Sequence, residues 1–195
     1  MPQQRRRVCF VLPSLNGGGA ERAAVQVLNG LDPASWDRSM FLFERTGPYL
    51  ADLDPSIDLH ASSAPARGER WHSLRRFIRD RRPEIVMAFL SYATALTAVR
   101  AAQTGALVVF NQQTPMSAFL TDADYRWGQG WRRTMFTATS RLAYSAADLI
   151  IATSRGVADD LTTNFGVSPD AVRVVPNPVD LEGVRTQANE PLGAA

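Results

Sequence analysis

Apolar runs of strand length alternate along this chain with stretches in which apolar positions recur every three or four residues. The run Val8-Cys9-Phe10-Val11-Leu12 predicts a first strand. Ala20, Ala23, Ala24, Val27, Leu28 and Leu31 then fall at i, i+3, i+4, i+7, i+8 and i+11, which is one face of a helix. Residues 39–43 predict a second strand and residues 57–61 a weak third. Trp71, Leu74, Phe77 and Ile78 form the apolar stripe of a helix that stops near Pro83. Strands follow at 85–89, 106–110, 149–152 and 172–175, with helices at 93–103, 131–146 and 157–165, the last capped by Ser154. Strands apolar on both sides and separated by helices require crossover connections. The expected fold is therefore α/β: a doubly wound, mostly parallel sheet with helices on both faces, Rossmann-like. Such sheets bind ligands at the carboxyl ends of their strands, which selects the loops to read for chemistry.

Composition narrows the classes. At 195 residues, 45% hydrophobic and 21% charged, the chain suits one globular domain and excludes a low-complexity one. All 21 basic residues are arginine, but 19 acids balance them, so charge alone does not indicate a nucleic-acid partner. The single cysteine, Cys9, excludes a disulfide within the chain and reads as a buried thiol. No apolar run reaches the ~18 residues of a membrane span. The start, Arg5-Arg6-Arg7 followed by an apolar run, only faintly imitates an export signal, so the expected compartment is the cytoplasm.

The first strand-to-helix loop carries the strongest chemical signal. It reads Pro13-Ser14-Leu15-Asn16-Gly17-Gly18-Gly19-Ala20-Glu21-Arg22. Glycines allow positive φ and close approach of a ligand to the backbone, and a helix that begins there offers unpaired N–H groups to a phosphate. A tight packing turn is the plainer alternative. The dinucleotide fingerprint needs a third glycine where Arg22 stands, so a nicotinamide-dependent oxidoreductase is disfavoured, although Glu44 follows the second strand where a ribose-binding acid would sit. The chain has no Gly-Lys-Ser or Gly-Lys-Thr, which excludes a P-loop.

Residues 11–22, together with Ala88-Phe89-Leu90-Ser91-Tyr92-Ala93 in the middle and Ala147-Asp148-Leu149-Ile150-Ile151-Ala152-Thr153-Ser154 and Val174-Val175-Pro176-Asn177-Pro178-Val179-Asp180 near the end, resemble the N-terminal domain of family-4 glycosyltransferases of the two-Rossmann-domain (GT-B) type. The resemblance implies a retaining, nucleotide-sugar-dependent transferase. Residues 1–183 would be its acceptor-side domain and 184–195 a truncated linker toward a donor-binding domain. It further implies that Gly17, Gly18 and Gly19 face the donor diphosphate. Acceptor contacts are expected from Asn16, Glu21, Arg22, Tyr92, Asn111, Gln112, Gln113 and Arg155, while no catalytic residue is singled out. The donor would be a nucleotide sugar and the acceptor a sugar or a lipid-linked glycan in glycan, glycolipid or polysaccharide synthesis. No cofactor and no metal are expected, and no nucleic acid. The alternative is a stand-alone module that binds a sugar phosphate or nucleotide without turnover.

Several features qualify this picture. Glu182 and Glu190 stand eight apart before Pro191-Leu192-Gly193, as two glutamates do in the donor domain of the family, but in a polar tail that reads as coincidence. The loop after residues 106–110 reads Asn111-Gln112-Gln113-Thr114-Pro115, where relatives place a histidine or acid; amides bind hydroxyls but take no proton. His60 and His72 read as structural or solvent-facing. Two surfaces could meet an anionic membrane at its inner face. One is the arginine cluster Arg75, Arg76, Arg79, Arg81 and Arg82, which otherwise reads as a solvated helix end. The other is Arg126-Trp127 with Trp131-Arg132-Arg133 and Phe136, which otherwise packs on the core.

Overall fold

A computed structural model of the chain describes residues 5–62, 67–89, 99–100, 102–121 and 130–189. Strands β1 (Arg6–Leu12), β2 (Trp36–Leu42), β3 (Asp58–Ala61), β4 (Ile85–Phe89), β5 (Leu107–Gln112), β6 (Leu149–Ala152) and β7 (Val172–Val174) form one sheet in the order β3-β2-β1-β4-β5-β6-β7. Every pairing is parallel. The helices described are α1 (Gly19–Gly30), α2 (Arg67–Arg81), α3 (Ala118–Thr121), α4 (Gly130–Ser145), α5 (Arg155–Phe165) and α6 (Leu181–Ala188). The doubly wound fold is as expected. The helix expected at 93–103 lies largely outside the described residues.

Alternation along the central strands divides the core in two. Val8, Phe10 and Leu12 of β1 point to one face, where they join Met40 and Leu42 of β2 and Ala24, Val25 and Leu28 of α1. Cys9 and Val11 point the other way, with Phe41, Val86, Ala88, Val108 and Phe110, onto Leu74, Phe77 and Ile78 of α2 and Tyr144, Leu161 and Phe165 of α4 and α5. Because both faces of β1 are covered, its sequence reads as an unbroken apolar run. The helix face on α1 is rotated slightly from the expected one. Val25 is buried, while Val27 and Leu31 pack only partly.

Where boundaries differ from expectation, polar residues are responsible. β2 begins at Trp36 because Trp36, Asp37 and Arg38 continue the register opposite Arg6, Arg7 and Val8. Arg38 is buried in that extension. Its guanidinium donates to the Leu28 and Asn29 carbonyls at the end of α1 (3.3 and 3.1 Å), to Asp54 Oδ2 (3.3 Å) and to Ser56 Oγ (2.7 Å). A cation among carbonyls that the helix itself leaves unpaired is a satisfied one. Hydrogen bonds from Ser56, aided by the nearby Arg38, hold the Asp54 carboxyl below its usual 3.8. The stability this contributes is present above that value and fades as pH falls through the lower, folded-state value.

β5 extends to Gln112, so Asn111 and Gln112 belong to the strand rather than to the loop after it. Helix α6 spans the expected boundary at 183/184, so residues 184–188 are helical. Its exposed Leu181 and Val184 explain why no burial pattern announced it. The cap on α5 is as expected: Ser154 Oγ accepts from the Val157 amide at 3.3 Å, and Gly166 closes the helix in the left-handed region at φ 68°.

Two outcomes test this packing. Arg38→Met leaves one buried and one half-buried helix-end carbonyl without their donor, so it should lower unfolding free energy by about 1–3 kcal/mol; urea denaturation should show an earlier midpoint with an unchanged slope. Burial pushes the Cys9 thiol up to about 12, so in the folded protein it should resist a thiol-specific chromogenic reagent at pH 8 and react at once in denaturant.

Candidate functional site

The strand order reverses between β1 and β4, so the loop after β1 opens at the crevice where a doubly wound sheet takes its ligand. Leu15, fully buried, ties this loop into the core, and Ser14 is buried beside it. Beyond them Asn16, Gly17, Gly18 and Gly19 are all exposed. Gly17 holds φ at 104°, a value that L side chains rarely adopt, and so turns the chain into the helix. Gly18 is the N-cap of α1 and has no capping side chain. A β-carbon on Gly18 would collide with the Glu21 carboxylate, which therefore lies against the helix start. A β-carbon on Gly19 would meet nothing. The three glycines thus act differently: Gly17 for the turn, Gly18 for close approach, and Gly19 for open space above the first amides of the helix.

A second loop locks the first. After β2 the chain continues to follow β1: Phe43 N donates to Leu12 O (3.2 Å), Glu44 N to Pro13 O (2.9 Å), and Leu15 N to Thr46 O (2.9 Å). Gly47 sits at φ 121° with its Cα against the Leu15–Asn16 peptide, where any β-carbon would overlap the Leu15 carbonyl. Sequence reasoning missed Gly47. The signal available was the Gly47-Pro48 dipeptide, which marks a turn without saying what it touches.

The amides expected after β5 divide into an inner and an outer set. Gln112 is buried, with its Oε1 accepting from Tyr144 Oη (2.8 Å) and its Nε2 donating to Thr114 O (2.7 Å). It braces α4 and the loop from inside. Asn111 is also buried, and its Oδ1 accepts from Gln113 Nε2. Gln113 reaches outward to Asn177: Asn177 Nδ2 donates to Gln113 Oε1 (2.6 Å) and Gln113 Nε2 to Asn177 Oδ1 (3.2 Å). In the sequence Asn177, flanked by Pro176 and Pro178, figures only within the segment 174–180 that carries the family resemblance. The structure makes it the bridge between the end of β5 and the segment leaving β7.

That segment lies beside the glycine loop. Asn177, Pro178, Val179, Asp180 and Val184 form one wall of a groove of about 240 Å³. Gly19, Arg22, Ala23 and Gln26 form the other. Arg22, where a dinucleotide-binding loop would have its third glycine, is exposed and lines this groove. Glu44 is engaged by Arg70 at 2.9 Å. Arg155, exposed, opens α5 after β6 on the same edge of the sheet. Tyr92 lies outside the described residues, as do Arg126, Trp127, Glu190 and residues 191–193. Glu182 falls on α6. Neither histidine belongs to the site: His60 on β3 stacks on Phe77 (5.1 Å), and His72 lies edge-on to Trp71 on α2. Among the described residues no three His, Cys, Asp or Glu side chains gather to hold a metal ion. The arrangement offers backbone N–H donors, amide side chains and two exposed arginines at one edge of a rigid sheet, a set suited to phosphate and hydroxyl oxygens.

Known proteins share this fold. The fold is similar to that of HepE from Anabaena, solved with UDP and glucose (TM-score 0.65, 15% identity, covering 95% of this chain and 50% of that one). It is similar to the lipopolysaccharide outer core galactosyltransferase WaaB (0.60, 17%, 89% and 46%). It is also similar to sucrose-phosphate synthase from Thermosynechococcus elongatus (0.66, 15%, 96% and 53%). At such identity the likeness shows the shared GT-B-type Rossmann fold, and the chain spans about half the length of these proteins. No curated protein matches it in sequence. The profile of Glycosyltransferase Family 4 matches residues 17–182, and the chain belongs to that family.

Proposed function

We propose that this chain is the acceptor-side half of a nucleotide-sugar-dependent, retaining glycosyltransferase, and that its glycine loop receives the diphosphate of the donor. One observation carries the reading: Gly17, Gly18 and Gly19 stand exposed at the start of α1, at the point where the strand order reverses, and are held there by the loop after β2. UDP in the Anabaena neighbour supports a uridine diphosphate sugar as donor. The lipopolysaccharide galactosyltransferase supports a glycan or lipid-linked acceptor of the cell envelope. Departure of the sugar leaves negative charge on the diphosphate. Fixed N–H dipoles at the head of α1 are worth most to the transition state, when that charge develops. The Glu21 carboxylate, now against Gly18, turns aside when the diphosphate arrives. Asn16, Arg22, Arg155 and the outer amide Gln113 line the acceptor side, while Gln112 supports them from within. In this reading the site is completed by a second nucleotide-binding domain, and the 195-residue chain alone turns nothing over.

Three outcomes test it. The purified chain, given UDP-sugars and glycan or lipid-linked acceptors, should release no UDP, whereas the full-length gene product should; release by the chain alone overturns the need for a second domain. In the full-length product Gly18→Val should cut kcat about 100-fold, the scale of one oxyanion donor, because its side chain keeps the diphosphate away from the amides at the helix start, with the acceptor KM moving less than about threefold. An unchanged kcat removes the phosphate role of the loop. Gly47→Ala should lower the thermal midpoint and kcat together, because the backbone of the glycine loop must shift to admit the methyl; the cost to folding should be about 1–3 kcal/mol.

A further inference from the structure

The segment that leaves β7 forms one wall of the groove beside the glycine loop, yet little packing holds it there. The sheet ladder ends where Val175 N donates to Ala152 O (2.9 Å). Beyond that point Val179, Leu181 and Val184 are 67, 60 and 48% exposed. Pro176 and Pro178 have no amide proton, so neither can extend the ladder. Val175 and Asn177 each precede a proline, which pushes both toward extended backbone and stiffens the segment. A stiff segment gives up little conformational freedom when a side chain fixes it.

Asn177 supplies that side chain. Its amide and that of Gln113 close a ring of two hydrogen bonds, Asn177 Nδ2 to Gln113 Oε1 (2.6 Å) and Gln113 Nε2 to Asn177 Oδ1 (3.2 Å). Gln113 is in turn anchored to the sheet. Its carbonyl accepts from Thr153 Oγ1 (3.1 Å), and its Nε2 also donates to Oδ1 of the buried Asn111. Both protons of Gln113 Nε2 are therefore engaged within the protein, and a ligand hydroxyl that took either would displace Asn111 or Asn177.

We propose that Gln113 and Asn177 are positioning residues: their paired amides hold the 177–184 wall against α1 and so set the affinity of the groove for a diphosphate seated at Gly19 and Arg22, which lie on the facing wall. A wall at fixed distance limits the water in the gap and leaves the anion less screened from the guanidinium and the helix amides. A wall free to swing admits water. The placement of the wall follows from the hydrogen bonds; its effect on the anion rests on the phosphate role proposed for the glycine loop.

Two measurements on the purified chain separate these parts. The first is the distance distribution between spin labels on Gly30→Cys and Leu181→Cys, read by double electron–electron resonance. Gly30 has room for a β-carbon, Leu181 is exposed, and Cys9 is buried with its thiol pushed up to about 12, so the labels attach only to the introduced cysteines. Gln113→Ala and Asn177→Ala should each broaden the distribution. The exchange Q113N/N177Q keeps both amides and their summed length, and should narrow it again. The second measurement is titration with inorganic pyrophosphate, followed through the amide chemical shifts of Gly17, Gly18 and Gly19. Each alanine variant should raise Kd about tenfold, the scale of one net hydrogen bond, and the exchange should return it to within about threefold of the parent. An unchanged thermal midpoint shows that the variants fold. The proposal is overturned if either alanine variant keeps the parent distribution, if the exchange stays as broad as the alanine variants, or if the wall loosens while the pyrophosphate affinity holds. Pyrophosphate that moves no glycine amide in the parent overturns the phosphate role of the loop and the affinity effect with it, while the label distances decide the positioning of the wall by themselves.

Discussion

Parallel pairing is the constraint on which everything else rests. Because every strand of the sheet runs the same way, every loop that follows a strand emerges at one edge. Residues as distant in sequence as Asn16, Gln113, Arg155 and Asn177 therefore share that edge. The reversal between β1 and β4 opens a gap among those loops, since the crossovers leave β1 to opposite sides. Neither the glycines nor the amides would converge on an antiparallel sheet of the same composition.

Convergence alone does not make an anion site; the donors must also be fixed before the ligand arrives. Here the fixing is done by backbone. The chain after β2 pairs onto the end of β1 and places Gly47 against the Leu15–Asn16 peptide, so that the glycine loop has a floor. On the opposite side of the gap the Gln113–Asn177 amide pair ties the end of β5 to the segment that leaves β7. Preorganised dipoles cost no rearrangement when charge develops, which is the physical advantage of building the site this way.

Buried polar groups hold the remaining geometry. Arg38 joins the end of α1 to the 54–56 turn. Asp160, buried on α5, accepts from the Ser117 amide (3.1 Å) and from Asn164 Nδ2 (2.7 Å) and so anchors the loop that follows β5. Each is hydrogen-bonded, as a polar group out of water must be. Helix α4 shows the opposite situation: Phe136 packs on the core, while Trp131, Met135 and Leu142 are left in water on a folded surface.

The sequence by itself determined the layers: strand and helix periodicity, a parallel sheet, and a glycine loop at the head of the first helix are all local patterns that tertiary context had no reason to override. The Pro83 stop, the Ser154 cap and the family resemblance were legible for the same reason, being set by residues close together in the chain. Tertiary structure alone decided which of three adjacent amides faces outward. Asn111, Gln112 and Gln113 are chemically alike, and strand alternation with the reach of Tyr144 sorts them. It alone revealed Gly47 and Asn177, whose partners lie 32 and 64 residues away, and it alone showed that α4 has an apolar face to spare. Periodicity reports that a face is apolar; only packing reports whether something covers it.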